Sequence, residues 1–587
     1  MAAPSKTSIT RRIRALGAVA QKSHADASTL VGTLLQLWCE EAFTALPGAN
    51  LPYSESLADE PAVQAFAALL PQLSFLDGAY WLSSAYAMLA DESYRKKLAM
   101  YFTPASLTDG LLDDLAGQGV DFGTQVFMDP ACGGAAFLAP IAIRMRAQLA
   151  ACGLRPLQVL KHIEKHLYGC DLDGTLCELS KHFLCMALHD DIKATKYVPS
   201  FKVAPADSLT SLEVGLGAFD VVVCNPPYRK MTVDELEPLR SAYADVIEAQ
   251  PNLYGLFIAL CVRLLRVGGR AALVTPTSFL SGRYFGRLRK FLIHNADVEH
   301  VGMVSDRLGV FIDVEQETAL TVLRRCDEAE RQEVQANVSV VSGTGQYTSV
   351  GACSLPNSGA VWPIPRAVGD VALLQAASQS PARLADYGYR VRIGAYVWNR
   401  DTRPKYDSLQ DAKKAKARTA MPLMWSRDIV PGGTVRLEDT SATTGEHRFV
   451  DLGDKKHTSV ITKPCVVLQR VTSNDQPRRL VAAAVSPGVF EKYGGFIGEN
   501  HVVILEPTTD DPAIPPDMLA RLLSVHSVDR FFRCISGATN VSAFELNQLA
   551  LPSPEVLEKP IPQGWSMDEA VRHAYGLPQQ NQAANEP

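Results

Sequence analysis

The sequence predicts an α/β protein built around a doubly wound, mostly parallel β-sheet. Between residues 126 and 325, short apolar runs rich in β-branched residues alternate with amphipathic stretches of helical period. Alternation at this spacing is typical of βαβ units, which place parallel strands side by side. Several of the apolar runs end in small or polar residues. Because ligands bind at the carboxyl ends of strands in open α/β sheets, these turns predict a functional site.

The composition is that of an ordinary globular protein, with 587 residues, 47% hydrophobic and 20% charged. This length allows two or three domains. The sequence contains neither an apolar run long enough to span a membrane nor an N-terminal export signal, so we expect a cytoplasmic protein. The twelve cysteines are scattered without a Cys-x-x-Cys pair, which favours reduced core thiols over a zinc site.

The chain is predicted to comprise five segments. Residues 1–95 show helical periodicity in three stretches near 8–16, 28–46 and 62–90. The α/β domain is expected over 96–330, a linker over 331–380 and a mixed α+β domain over 381–555. The tail, 556–587, is expected to be partly disordered because it ends in Gln, Asn, Pro and Ala.

The first strand of the α/β region ends at Asp129 and is followed by Pro-Ala-Cys-Gly-Gly-Ala, then by an apolar helix pattern. Small residues let the backbone approach a ligand closely, and the start of the helix offers unpaired N–H groups. Upstream, Tyr-Phe-Thr-Pro at 101–104 precedes another helix pattern. The strand–turn–helix unit therefore predicts one wall of a ligand site.

The second strand, 167–171, ends in Asp171, about 40 residues after Asp129. An acid in this position binds the ribose hydroxyls in nucleotide-binding sheets. Capping of the helix that begins near Gly174 is an equally good interpretation of Asp171 taken alone. A third strand near 201–204 precedes Asp207 and Ser208, another polar strand end.

The fourth strand, 219–224, stops at Asn225-Pro226-Pro227-Tyr228. Each proline fixes its own φ and holds the preceding residue extended, which predicts a rigid shelf. The Asn225 amide oxygen and the Pro226 carbonyl could accept both hydrogens of one amino group, while Tyr228 stacks on the ring that carries it. The simpler interpretation is a strand that ends in a proline turn.

The remaining α/β pattern predicts five more elements. They are a helix over 253–265 capped by Gly268 and Gly269, a strand over 271–275, a basic helix over 283–294, and closing strands over 298–304 and 319–323.

The charge of the C-terminal part differs from that of the whole chain. From Arg383 to Arg479 there are 19 Lys or Arg against 11 Asp or Glu, an excess of eight positive charges on a chain of net charge −6. The basic groups are the Lys413–Arg418 run and Arg478-Arg479, with Trp398, Tyr406 and Trp425 nearby. A basic, aromatic-containing domain suits phosphate contacts, although the Lys413 run is equally typical of a solvated helix face.

Four features follow one another along the chain: Tyr-Phe-Thr-Pro at 101–104, Asp-Pro-Ala-Cys-Gly at 129–133, the acid at 171 and Asn-Pro-Pro-Tyr at 225–228. In this order they resemble the motifs of the N6-adenine DNA methyltransferases of bacterial restriction–modification systems. The order resembles their gamma arrangement, in which cofactor motifs precede the catalytic motif and a target-recognition domain comes last. The resemblance covers about 95–330, and more loosely 380–555. There, 535–546 and Leu-Pro-Ser-Pro at 551–554 are similar to the closing segment of such domains.

The resemblance implies S-adenosylmethionine as co-substrate and no metal. The implied cofactor-binding residues are Tyr101, Thr103, Pro104, Asp129, Ala131 and Gly133 at the methionine part, Asp171 at the ribose, Asp207 and Ser208 at the adenine, and Asn225. The implied catalytic residues are Asn225, Pro226, Pro227 and Tyr228, with Phe311 stacking on the other face of the target adenine. Ala135 replaces a glycine usual in the family, and we expect it to fit the turn only with negative φ.

The implied partner is double-stranded DNA with the target base flipped out of the helix. A separate cognate restriction endonuclease is a further candidate partner, and we expect a monomer associated with the bacterial nucleoid. Three alternatives stay open. They are methylation of an RNA base or a protein glutamine, a non-catalytic DNA-specificity subunit, and a modification subunit that needs a separate specificity protein. A fused restriction enzyme is disfavoured because the sequence shows no convincing nuclease motif.

Overall fold

The computed structural model describes residues 5–44, 46–212, 215–304, 317–326, 334–380, 382–438, 446–454, 457–472, 476–537, 539–558 and 565–578. The chain divides into two compact units. Unit 1 comprises Met1–Phe279 and Tyr284–Gly359, and unit 2 comprises Leu280–Arg283 and Ala360–Pro587. Within the described ranges, no helix is long and apolar enough to cross a membrane.

Unit 1 begins with helices, as the periodicity predicts. They are α1 (Lys6–Ser23), α2 (Ala27–Ala42), α3 (Glu55–Ala58), α4 (Pro61–Ala67), α5 (Phe75–Leu89) and α6 (Glu92–Leu98). The predicted stretch 62–90 is broken between α4 and α5 by a 3₁₀ turn that contains Pro71, and the Ser74 side chain then caps α5. Buried residues of α1, α2, α4 and α5 share one hydrophobic core with the sheet that follows.

The sheet of unit 1 has nine described strands in the order β3-β2-β1-β4-β5-β7-β6-β8-β9. The strands are β1 (Phe127–Asp129), β2 (Leu167–Asp171), β3 (Lys202–Pro205), β4 (Phe219–Cys224), β5 (Leu265–Pro276), β6 (Ala296–Val304), β7 (Thr318–Arg325), β8 (Val334–Val341) and β9 (Tyr347–Leu355). Strands β1 to β5 are parallel to their neighbours among themselves, whereas β7 runs antiparallel between β5 and β6. The doubly wound, mostly parallel fold class is therefore confirmed.

Helices connect these strands. They are α7 (Ala105–Gly117), α8 (Leu138–Ala151), α9 (Pro156–His166), α10 (Gly174–Ala187), α11 (His189–Thr195), α12 (Val233–Leu236), α13 (Leu253–Leu264), α14 (Ser278–Ser281) and α15 (Gly286–Asn295). Phe127 pairs with Leu167 of β2 and with Val221 of β4. Because these strands are parallel and in register, their carboxyl ends meet at one edge of the sheet.

Two segments differ from the sequence prediction. The segment 331–380, predicted as a linker, contains β8 and β9, which extend the sheet. Strand β8 pairs with β6 and buries Ala336, Val338 and Val341. Gly268 and Gly269, predicted to cap a helix, lie inside β5 beside a register shift in its pairing with β4, because α13 passes directly into the strand at Leu265.

Unit 2 has a mixed α+β structure, as predicted for residues 381–555, and it also contains helices before and after that range. Its strands are β10 (Tyr389–Ile393), β11 (Lys405–Tyr406), β12 (Ala420–Met424), β13 (Thr434–Val435), β14 (Phe449–Asp451), β15 (Val466–Gln469), β16 (Ala482–Val485), β17 (Ile497–Gly498) and β18 (Val502–Pro507). Its helices are α16 (Val368–Ser378), α17 (Leu409–Lys414), α18 (Pro487–Tyr493), α19 (Pro516–Leu523), α20 (His526–Ile535), α21 (Ala543–Asn547), α22 (Pro554–Glu558) and α23 (Met567–Ala574). The described strands form a five-stranded sheet, β10-β18-β15-β16-β13, and a four-stranded sheet, β11-β14-β12-β17.

Some basic and aromatic groups predicted for the surface of unit 2 lie in its core. Arg479 is fully buried and donates to the Thr472 hydroxyl and the Ser536 hydroxyl. Trp425 is buried as well, and its indole N–H donates to the His447 carbonyl. These two side chains stabilise the fold of unit 2 and are not available to a nucleic acid.

Candidate active site at the carboxyl edge of the sheet

A cavity of about 350 Å³ opens at the carboxyl edge of the unit 1 sheet. Pockets for small ligands fall in this size range. Of the site residues expected from the sequence, those on its wall are Tyr101, Thr103, Asp129, Ala131, Gly133, Asp171, Asp207, Ser208, Asn225 and Pro227. Pro104, Pro226 and Tyr228 lie beside it without lining it, and Phe311 lies outside the described residues.

The turn after β1 brings the backbone to the cavity. Asp129 is buried at the strand end, where its Oδ1 accepts a hydrogen bond of 3.0 Å from the Ala131 N–H. Burial raises the pKa of this carboxyl well above its usual value. Gly133 has φ +50°, and a Cβ on Gly134 would lie 1.9 Å from the Ser83 hydroxyl oxygen of α5. Both positions therefore need glycine.

Ala135 overturns the expectation of a negative φ, because its φ is +58°. Its N–H donates to the Cys132 carbonyl at 3.0 Å, and its own carbonyl accepts from the Ala139 N–H at 3.0 Å. These bonds hold the residue in the left-handed region, where a Cβ costs roughly 1–2 kcal/mol. The backbone of the turn therefore has the positive φ that glycine adopts without cost, and the Cβ of Ala135 makes that conformation strained.

Asp171 faces the same turn from the end of β2. Its Oδ2 accepts a hydrogen bond from the Gly133 N–H and its Oδ1 accepts one from the Asp173 N–H, both at 2.9 Å. Each carboxylate oxygen keeps a further lone pair for a ligand hydroxyl. Burial raises the pKa of Asp171 to about 6, against the opposing effect of these two N–H donors.

The third strand end contributes Asp207 and Ser208. The Ser208 hydroxyl donates to the Pro130 carbonyl at 2.6 Å and is therefore engaged within the protein. The Asp207 Oδ1 accepts from the Leu209 N–H at 3.0 Å. Of these two residues, Asp207 keeps acceptor capacity toward the cavity, while Ser208 fixes the loop against the β1 turn.

One end of the cavity is mainly apolar. Its lining includes Met231, Pro238, Leu239, Leu253 and Phe257, a surface suited to a planar heterocycle. The Arg229–Glu235 ion pair forms part of the same wall through two hydrogen bonds of 2.8 and 2.9 Å. Its hydrogen bonds lower the pKa of Glu235 to about 2, so the pair stays ionised at neutral pH.

The orientation of the Asn225 amide is fixed by three hydrogen bonds. Its Nδ2 donates to the Tyr101 carbonyl at 3.0 Å and to the Thr103 hydroxyl at 2.9 Å. Its Oδ1 accepts from the Tyr228 hydroxyl at 2.6 Å. Because two acceptors face one end of the amide, that end must be the nitrogen and the other end the oxygen. Oδ1 has a second lone pair that can accept a further hydrogen bond.

The hydroxyl and the ring of Tyr228 both contact other groups of the protein. Its hydroxyl is 2.6 Å from Asn225 Oδ1 and 2.7 Å from the Val274 carbonyl oxygen, so its single hydrogen is shared between these two acceptors. The ring packs edge-on against Tyr254, with centroids 6.0 Å apart. Burial raises the pKa of Tyr228 well above its usual value, so the phenol is a donor at neutral pH.

Sequence reasoning missed one wall of the cavity. Residues 97–103 all line it, from the end of α6 to Thr103. The motif at 101–104 indicated only part of this wall, because residues 97–100 carry no motif. The hydrogen bonds from Asn225 to this wall join positions more than 120 residues apart, a relation that has no signal in a single sequence.

The residues of the cavity fit S-adenosylmethionine. Its volume, the acceptors of Asp171 near the glycine turn, the acceptor of Asp207 and the apolar end match a ligand with a ribose and a purine. In the part of the chain that the structure describes, no group of three or more His, Cys, Asp or Glu could hold a metal ion.

The parallel strand ends and the polar turns after them form the ligand-binding edge that open, doubly wound α/β sheets share. Residues 81–349 match the family model described as N-6 DNA Methylase. This match supports the resemblance drawn from the motifs over that part of the chain.

The chain is also similar to curated proteins and to a solved structure. The chain is 24% identical over 352 residues to the type II methyltransferase M.BsuBI of Bacillus subtilis, covering 58% of this chain and 66% of that protein. It is 28% identical over 224 residues to M.BstVI of Geobacillus stearothermophilus, covering 36% and 39%. The chain thus spans two thirds or less of these relatives. The type IIL restriction–modification enzyme MmeI, solved in complex with DNA, is similar in fold, with TM-score 0.53, 13% identity and coverage of 95% of this chain and 89% of that one.

The raised pKa of Asp171 predicts that binding of S-adenosylmethionine weakens in acid. An ionised carboxylate accepts hydroxyl hydrogens and a protonated one accepts fewer, so affinity should fall as the pH drops through the pKa of about 6. We expect roughly a fivefold to tenfold loss between pH 7 and pH 5 by calorimetric titration. Asp171→Asn should bind more weakly at pH 7 and lose most of this pH dependence. An unchanged pH profile in the variant would assign the effect to another group.

Proposed function

We propose that this protein is a site-specific DNA methyltransferase that transfers a methyl group from S-adenosylmethionine to N6 of adenine. The observation that carries the proposal is the position of Asn225. Its amide forms part of the same cavity wall as Asp171, at the carboxyl edge of one sheet. A donor site and an amino-group acceptor shelf therefore adjoin each other, as a direct transfer requires.

S-adenosylmethionine, when bound, supplies an electrophilic methyl group on a positively charged sulfur. The chain supplies the binding groups: Asp171 accepts from the ribose hydroxyls, Asp207 accepts from the purine amino group, and Leu253 and Phe257 cover the purine. The glycine turn at 133–134 lets the backbone approach the ligand because no side chain intervenes.

On the acceptor side, Asn225 Oδ1 and the Pro226 carbonyl accept the two hydrogens of the adenine amino group. No hydrogen bond from the described residues reaches the Pro226 carbonyl, which leaves it available. Accepting both hydrogens draws the nitrogen lone pair out of conjugation with the ring, so N6 becomes a better nucleophile. As the new C–N bond forms, the bond between the methyl carbon and sulfur breaks, and its electron pair stays on sulfur to give S-adenosylhomocysteine. N6 loses one proton, which passes to solvent.

The Tyr228 hydroxyl occupies Asn225 Oδ1 with a hydrogen bond before the adenine binds. In the structure its hydrogen is shared between Asn225 Oδ1 and the Val274 carbonyl. When the adenine donates to Asn225, the phenol can donate fully to Val274, so neither acceptor loses its partner. Stacking of Tyr228 on the adenine, and of Phe311 on its other face, would need the Tyr228 ring to leave its contact with Tyr254. These stacking roles are part of the proposal.

Unit 2 carries a surface suited to DNA. Trp398 is 56% exposed, and Arg400, Lys413, Lys414 and Lys416 are exposed as well. The Lys405 ammonium donates to the Trp398 carbonyl, which links the Trp398 loop to the strand beside α17. An exposed aromatic ring among several cations fits a phosphate backbone and unstacked bases. We assign target recognition to unit 2, which corresponds to the gamma arrangement.

Transfer to an adenine in duplex DNA requires base flipping, because an adenine inside the stack cannot reach the shelf. One adenine on one strand is modified per visit, so a monomer suffices. A separate endonuclease is the partner that a modification enzyme of this kind would serve. No metal is needed for a transfer that relies on alignment and hydrogen bonding.

We expect expression in a methylation-free bacterial host to produce N6-methyladenine at one short DNA sequence. Direct sequencing of genomic DNA should show modification of nearly every copy of that sequence, because modification outpaces replication in a functional enzyme. The matched control is Asn225→Ala, which keeps the cavity and removes the acceptor amide. It should leave the genome unmodified.

Other outcomes separate the alternatives. If the wild type binds S-adenosylmethionine but modifies no DNA motif, the substrate is an RNA base or a protein glutamine, or a specificity partner is missing. If it binds DNA but no S-adenosylmethionine, the chain is a non-catalytic specificity subunit. Modification that persists in Asn225→Ala would contradict the role given to the shelf.

Removal of two lysines should weaken DNA binding in a salt-dependent way. In Lys413→Ala combined with Lys416→Ala, we expect the slope of log affinity against log salt to fall by about 1.8, since each phosphate contact contributes about 0.9. Lys463→Ala is the control, because Lys463 is exposed in the same unit but paired with Asp510 at 2.6 Å. Equal slopes in the double variant and the wild type would exclude the Lys413 run as a phosphate contact.

A further inference from the structure

Residues 91–98, which lead into the 97–103 wall of the cavity, are lightly attached to the rest of unit 1. We call this segment the strap. Within the strap, α6 spans only seven residues, and each of its side chains is at least partly exposed. The last two residues of the strap, Lys97 and Leu98, line the cavity. A segment with few buried apolar contacts opens at lower free energy than the core beneath it.

One side-chain contact holds the middle of the strap to the sheet edge. The Tyr94 hydroxyl of α6 donates to Asp173 Oδ2 at 3.0 Å. Asp173 is buried directly after β2, and its Oδ1 caps α10 by accepting from the Leu176 N–H at 2.9 Å. Burial raises the pKa of Tyr94 to about 12, so the phenol remains a donor at neutral pH.

The same acid also contacts the cofactor side of the cavity. The Asp173 N–H donates to Asp171 Oδ1 at 2.9 Å, the carboxylate expected to bind the ribose. Asp173 Oδ2 accepts a second phenol, that of Tyr86, at 2.8 Å. Tyr86 belongs to α5 and is buried in the core, whereas Tyr94 belongs to the exposed strap. Two phenols therefore donate to the same carboxylate oxygen, one from the core and one from an exposed segment.

The two ends of the strap are the places where α6 begins and stops. At one end Asp91 caps α6 by accepting from the Ser93 N–H at 2.8 Å. At the other end α6 stops at Ala99, a non-glycine residue with φ +49°. The left-handed conformation is unfavourable for alanine, so the contacts of the strap must hold this residue in place.

We propose that the strap is a gate for S-adenosylmethionine and its demethylated product, and that the Tyr94–Asp173 hydrogen bond is its latch. This inference rests on the proposed function for the identity of the ligand. Because the strap forms part of the cavity wall, the closed latch slows both entry and exit. Tyr94 is thus a positioning residue that sets exchange rates more than affinity.

The test compares Tyr94→Phe with Tyr86→Phe, each of which removes one hydroxyl from the same carboxylate oxygen. Enzyme loaded with labelled S-adenosylmethionine is chased with excess S-adenosylhomocysteine, and association is followed by stopped flow. A hydrogen bond to a carboxylate contributes enough for about a tenfold change in opening. We expect Tyr94→Phe to raise both rate constants by roughly tenfold with the dissociation constant within threefold, and Tyr86→Phe to leave both rates within about twofold.

A release rate in Tyr94→Phe equal to that of the wild type would overturn the latch, as would equal acceleration in both variants. If the wild type binds no S-adenosylmethionine, the proposed function fails, and the latch is judged by amide hydrogen exchange without ligand. Exchange over 92–98 should be about tenfold faster in Tyr94→Phe than in Tyr86→Phe. Equal exchange in the two variants would contradict the latch independently of the ligand.

Discussion

The site depends on the orientation of a single amide. Asn225 directs its nitrogen at two acceptors on the Tyr101–Thr103 wall, which leaves its oxygen to face the acceptor side. The prolines that follow hold this residue at the strand end with a fixed backbone. If the amide turned over, its nitrogen would face the amino group of the substrate, and donor would meet donor. The proposed methyl transfer therefore depends on this orientation of the Asn225 amide.

The same hydrogen bonds join two parts of the chain that the sequence separates. The Tyr101–Thr103 wall follows the N-terminal helices, whose buried side chains share a core with the sheet. The N-terminal helices therefore support the wall of the cavity from the core side. Ser83 of α5 lies against Gly134, so the shape of the glycine turn is set from this region as well.

The sequence predicted the features that depend on neighbouring residues, namely the strands and the polar residues at their ends. Strand ends such as Asp129, Asp171 and Asn225 were identified because periodicity located the strands, and parallel strands bring their carboxyl ends together. Long-range relations could not be inferred in this way. The burial of Arg479, the inward position of Tyr228 and the strands in the expected linker at 331–380 are set by tertiary packing. Ala135 adopts φ +58° because its neighbours hold it there, against its own preference.

The most direct measurement of the central claim is single-turnover methyl transfer in Thr103→Val, with donor affinity measured in parallel. The variant removes one of the two acceptors that orient the Asn225 amide and keeps the side-chain shape. Thr108→Val is the control, because Thr108 is also buried and its hydroxyl contacts the Pro104 carbonyl away from the amide. The account predicts that transfer slows by roughly tenfold or more in Thr103→Val alone, with donor affinity within about threefold. Unchanged transfer in Thr103→Val would contradict it.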